Sequence, residues 1–457
     1  MNAPVAVHFV PPVPPPPDNP LPLRLYLRAI RTNALTIFPR QAYTQDVVDR
    51  HFLGRHNLLL NAPDGIHRVL VDNAVNYRRS PASVRILRPV TGQGLLLSEG
   101  EAWRLQRRTV APALAPRVMP MLARHIVTVT AERLDGLPAQ VVQRPLDLLA
   151  AMQGLALEIA GRSMFSMEMQ RYGAAMRRML TEYAERHAPP HLLDMLLPPS
   201  VPTWRDLGRA RFQKRWMALI EAMMADRLAA PHPDVPRDLF DLLRAARDPE
   251  TGAGFSPAAL RDQVATLILA GHETTAVALF WALVMLAQAP EAQRWLADEA
   301  ASVRLDAETA FSALPNLPRA RSVVSETLRL FPPAFAMARE AIGPDRVAGI
   351  DLRRGAVVMI APWVLHRHHG FWRDPDAFDP SRFMPGQPPP PRHAYLPFGT
   401  GPRVCVGAQF ALTEATLVLT AIIQRFQVSL VGDRPVMPVA IVTTQPDHQP
   451  LVHLRPR

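Results

Sequence analysis

Apolar residues recur at i, i+3 and i+4 along most of this chain, and that period predicts helices. It marks segments near residues 63–77, 100–112, 117–135, 145–165, 170–187, 204–229, 237–247, 257–289, 291–302 and 316–330, with another near 408–426. Strand-like runs are short: Asn57–Asn61, Val357–Ile360 and Val439–Thr444. From about 331 to 404 the chain is irregular and rich in Pro and Gly, an unusually long loop region for a compact domain and a mark of function. No internal repeat or long polar linker breaks the pattern. The expected architecture is mainly α with small β-sheets, in one domain over residues 23–457. Residues 1–22 form a proline-rich leader, whose cluster from Pro11 to Pro17 favours an extended, semi-rigid chain.

The longest predicted helix starts at Ser256-Pro257 and stops before Pro290, about 50 Å on. Ser caps the free amide groups, and Pro suits the first turn. Leu267, Ile268, Leu269, Val277, Leu279, Phe280 and Leu283 make it apolar nearly all round, so it is buried. Its middle carries Gly271, His272, Glu273, Thr274 and Thr275. These are poor helix formers or costly to bury. They mark either a bent helix with a satisfied polar patch or a catalytic kink against a ligand.

Composition narrows the class. The chain has 457 residues, 48% hydrophobic and 20% charged, which excludes a disordered or fibrous protein. Basic groups outnumber acidic ones 51 to 40, and Lys214 is the only lysine. The excess suits a solvated surface or an acidic partner. Nucleic acid is not expected, because no dense basic run is interleaved with aromatics. The first 20 residues lack a basic n-region and an apolar h-region. No stretch of about 20 apolar residues is free of charge and proline, so no membrane span is expected and the location is cytoplasmic. One cysteine, Cys405, excludes a disulfide framework and a four-Cys zinc site.

That cysteine sits in Pro397-Phe398-Gly399-Thr400-Gly401-Pro402-Arg403-Val404-Cys405-Val406-Gly407. Two glycines and a proline set a tight, unusual loop able to aim N–H groups at one sulfur. Such donors and a following helix favour thiolate. A lone thiolate suits haem iron better than an iron–sulfur cluster.

The segment resembles the haem-binding loop of the cytochrome P450 monooxygenases, F-G-x-G-x-R-x-C-x-G, at every fixed position. Three further motifs follow the family's order. Ala270-Gly271-His272-Glu273-Thr274-Thr275 resembles its oxygen-activation motif, with Glu273 where Asp is often found. Glu326-Thr327-Leu328-Arg329 matches E-x-x-R. Phe378-Asp379-Pro380-Ser381-Arg382-Phe383 resembles the segment that completes that charge cluster. Trp103 and Arg107 match W-x-x-x-R of an earlier helix.

The resemblance implies the family fold and haem b between the long helix and the cysteine loop. Cys405 would be the iron ligand, and Phe398, Gly399 and Gly407 would shape its loop. Trp103, Arg107, Arg339 and Arg403 would meet the haem propionates. Glu326, Arg329 and Arg382 would form a structural charge cluster. Thr274 would protonate bound dioxygen, and Glu273 would organise the proton supply. One oxygen atom from O2 would enter a hydrophobic small molecule. Its contacts are expected from a variable loop near 80–98, from 165–215, the long helix, Pro333–Met337 and a strand near 441–446. Electrons would come from NAD(P)H through a ferredoxin or flavodoxin and its reductase, since no reductase is fused. Two rivals stand beside this: a peroxide-driven or rearranging haem-thiolate enzyme, and a haem sensor. His366, His368 and His369 read as loop residues, since they lack the helical spacing and carboxylate partner of a metal site.

Overall fold

Residues 9–52, 54–137, 144–229 and 236–457 are described by a computed structural model. The long helix, Pro257–Gln288, is unbroken, and Ser256 Oγ accepts from the Ala259 N–H at 3.2 Å, as the capping sequence predicts. Every residue from Ala276 to Leu286 is buried. Its main partner is Leu148–Phe165, and Pro318–Leu330 and Ala408–Arg425 also pack against it. By length and composition the long helix is apolar enough to cross a membrane. However, 67% of its most apolar window lies inside the protein, as expected of a core helix.

Small separate sheets flank the helices, giving a mainly α fold. The largest sheet has the strand order Val47–Phe52, Arg55–Leu60, Val357–Ile360, Met337–Ala341, Tyr77–Arg79. The region 331–404 is therefore irregular only in part, because Met337–Ala341 and Val357–Ile360 supply strands to this sheet. In the described leader, Phe378 N–H donates to Phe9 O and Arg40 N–H to Pro17 O, both at 2.8 Å, so the extended chain lies against the body.

Three segments differ from the sequence reading. The run 63–77 is not one helix. It is α over Pro63–His67, widens to a π turn over Arg68–Asp72 and tightens over Ala74–Asn76 before the strand Tyr77–Arg79. The expected loop near 80–98 contains a helix, Pro81–Thr91, with Ser80 as its cap. Long-range bonds hold it: buried Arg85 pairs with Asp206 at 2.5 Å, and the Trp216 indole donates to Val90 O at 2.8 Å. The run Val439–Thr444 is not one strand but a hairpin, Pro438–Ala440 against Thr444–Pro446.

Candidate active site

The cysteine loop is held by its own backbone and by the segment that feeds it. Cys405 N–H donates to Phe398 O at 2.9 Å, and Val404 N–H to Gly401 O at 3.0 Å. Gly399 and Gly401 have φ of +70° and +73°, a region that suits glycine. At Gly401 the need is also steric: a Cβ would lie 2.0 Å from Leu70 O. That carbonyl belongs to the π turn, so the departure from regular helix there fits the packing of the loop. Cys405 keeps accessible surface, yet protein surrounds it closely enough for burial to push the thiol pKa up. The Gly407 N–H and the positive charge of Arg107 oppose that rise. The helix Ala408–Arg425 begins three residues after the sulfur.

Arginines gather beside the loop. Arg403 lies over the Trp103 ring, 4.5 Å from its centroid, and pairs with Glu99 while donating to Ser98 O at 3.0 Å. Arg79 and Arg339 are direct cross-strand partners in the large sheet, a placement that is repulsive for like charges. Burial first, then neighbouring arginines, pull Arg79 down to about 9 and Arg339 to about 10. Glu99 is the one carboxylate among the charges acting on this trio, 3.6 Å from Arg79 Nη1. That buried nitrogen has no hydrogen-bond partner. Three guanidinium groups facing one carboxylate leave room for two more anionic charges.

On the long helix, the Thr274 hydroxyl donates to Ala270 O at 2.5 Å and keeps its lone pairs for another donor. Glu273 is half-buried, and its carboxyl is pushed up by desolvation. A Cβ on Gly271 would meet no atom within 4 Å, so a flat group can approach the helix there. His272 faces away: its Nε2 pairs with Gln153 O at 3.1 Å, and burial lowers it to about 4.

Glu326 and Arg329 form a fully buried bidentate pair, with both N–O contacts at 2.7 Å. The remaining Arg329 N–H groups reach His366 O, Pro375 O and Ala377 O, so all five are used. Arg382 joins more loosely, 3.5 Å from Glu326. His366 is fully buried, and burial together with Arg329 lowers it to about 3. Its neutral ring donates to Arg329 O at 3.2 Å and accepts from Leu396 N–H at 2.8 Å. The charge cluster is thus wired directly to the start of the cysteine loop.

The sequence model described as Cytochrome P450 matches residues 14–451. The chain belongs to the cytochrome P450 family. It is 34% identical over 382 residues to cyclooctatin synthase of Streptomyces melanosporofaciens, covering 82% of this chain and 81% of that protein. Cyclooctat-9-en-7-ol 5-monooxygenase of the same organism is 29% identical, covering 74% and 73%. Pentalenene oxygenase of Streptomyces avermitilis is 28% identical, covering 83% and 84%. The protein is a haem-thiolate monooxygenase that acts on a hydrophobic small molecule and is served by redox partner proteins.

The residues present fit haem. The loop offers one thiol with two influences toward thiolate, and the Arg79 nitrogen without a hydrogen bond lies in a cluster with one carboxylate for three guanidinium groups. The structure brings Trp103, Arg339 and Arg403 into that cluster, and it couples Arg107 electrically to Cys405. Two residues escaped the sequence reading. Arg79 gave no local signal, because its partner Arg339 is 260 residues away. His366 lies in a turn, as expected, but its role there carries no local signal. It is a buried connector, and the available cue was its place ahead of Trp372-Arg373-Asp374-Pro375. Among the described residues no His, Cys, Asp or Glu cluster is arranged for a separate metal.

Proposed function

We propose that this cytochrome P450 is a single haem domain over residues 23–457, working in the cytoplasm. Its electrons come from NAD(P)H through a ferredoxin or flavodoxin and its reductase, whose acidic surfaces suit an Arg-rich partner. The substrate is an apolar unsaturated carbocycle, a class supported by the names of two relatives, cyclooctat-9-en-7-ol 5-monooxygenase and pentalenene oxygenase.

Haem, when bound, supplies the activation of O2. Cys405 would hold the iron through sulfur, and Phe398, Gly399 and Gly407 would keep the loop in the shape that presents it. Arg79, Arg107, Arg339, Arg403 and Trp103 bind the carboxylate edge and fix the group's orientation, for which guanidinium is well matched. Thr274, whose hydroxyl now donates to Ala270 O, would hold a hydrogen-bond donor and a proton at its Oγ1 on the haem side of the helix. Glu273 replenishes that proton. The carrying observation is the acid–alcohol pair Glu273-Thr274, which a peroxide-driven, rearranging or sensing protein has no need of.

The reading is tested with isotope-labelled O2, a carbocyclic alkene panel and a surrogate ferredoxin pair. Labelled product that depends on NAD(P)H is expected. Equal product with peroxide alone, or from an oxygenated substrate without electrons, would overturn it.

A further inference from the structure

The C-terminal hairpin reaches Glu273 in a way that the motif itself does not imply. Thr444 anchors that hairpin. Its N–H donates to Pro333 O at 3.2 Å and its hydroxyl to Pro332 O at 2.7 Å, while its carbonyl accepts from the Trp281 indole at 2.7 Å. Trp281 lies about two turns along the helix that carries Glu273. Thr443 immediately precedes the strand Thr444–Pro446 and Gln445 lies within it, so the two flank the anchored Thr444. Both turn to the acid: Gln445 Nε2 lies 2.5 Å from Glu273 Oε1, and Thr443 Oγ1 lies 3.4 Å from it. Gln445 Nε2 also lies 3.4 Å from Thr443 Oγ1, closing a triangle.

No cation assists these bonds. Desolvation raises the Glu273 carboxyl, and only Gln445 and then Thr443 lower it. Glu158, Glu326, Arg329 and Glu414, on three of the helices packed against the long helix, exert no influence on it. Nor do Arg85 and Arg88 on Pro81–Thr91, or Arg209 and Arg227 on Trp204–Ala229. His272 is turned to Gln153. A half-buried carboxyl without a cation depends on neutral donors for both its direction and its charge.

We propose that Gln445 is a positioning residue: it fixes the orientation and ionisation of the Glu273 carboxyl that supplies protons toward Thr274. This rests on the reading of Glu273 as the proton source. The anchored Thr444 makes the hold rigid, because 443 and 445 cannot slide without breaking three bonds to Trp281, Pro332 and Pro333.

The test uses the full-length, haem-loaded ferric protein. Infrared difference spectra record the carboxyl band against pH, and its loss in Glu273→Gln assigns it. Gln445→Leu should raise the titration midpoint by about one to two pH units, the effect of losing a hydrogen bond to a charged group. Gln445→Lys places a cation there and should lower it. Thr443→Val should raise it by less, and it preserves the direction of the result if the leucine variant does not fold. The pH dependence of product per electron should move with each midpoint. Coincident titrations in wild type, Gln445→Leu and Gln445→Lys would overturn the proposal, even with Glu273→Gln losing product. Unchanged product per electron in Glu273→Gln would instead overturn the proton-source reading.

Discussion

Arg329→Ala and Glu326→Ala are each expected to yield little folded, haem-loaded protein. All five N–H groups of Arg329 are satisfied inside the protein: two by Glu326 and three by the carbonyls of His366, Pro375 and Ala377. Removing the arginine strands a fully buried carboxylate and three carbonyls. Removing the glutamate strands a fully buried guanidinium. Breaking such a pair costs about 3–5 kcal/mol, a large share of the roughly 5–15 kcal/mol that holds a typical domain. Arg329→Lys should not rescue, because a single ammonium cannot serve five directions. Arg382→Ala should cost much less, since Arg382 stands 3.5 Å from Glu326 and keeps some solvent contact. Haem content and melting temperature measure all four variants. Normal values for Arg329→Ala would show that the pair is dispensable.

Thr274→Ala is expected to keep its fold and haem yet lose most of its product per electron consumed. The hydroxyl's present bond to Ala270 O is local and is not needed by a helix packed as tightly as this one. Its removal takes away the positioned donor beside the reacting oxygen, so electrons end as peroxide. A positioned proton donor is typically worth about 10²–10⁴ in rate. Product and peroxide per NAD(P)H are the quantities to measure, with a partner pair that supports the wild type. An unchanged ratio would remove Thr274 from the reaction.

The elements legible in the sequence were those written locally. The long helix announced itself through Ser256-Pro257 and an apolar run up to Pro290, and the cysteine loop through its glycines. Glu326 and Arg329 share a helix face by spacing alone. What escaped depends on distant partners. Pro81–Thr91 carries prolines at both 81 and 89 and is held by Asp206 and Trp216, more than 100 residues away. The Arg79–Arg339 pairing exists only once two strands meet. The Val439–Thr444 run has strand composition throughout, and it turns because Thr444 is fixed to Trp281, Pro332 and Pro333. Gln445 carried no signal until that turn placed it on Glu273.

The account depends most on one sulfur. The reduced carbon monoxide complex of the wild type should show the strongly red-shifted Soret band that marks a thiolate ligand. In Cys405→His the same complex should show the band of histidine-ligated haem, with haem still bound through the arginine cluster. A thiolate-type band surviving in Cys405→His would contradict the assignment, since Cys405 is the only cysteine in the chain.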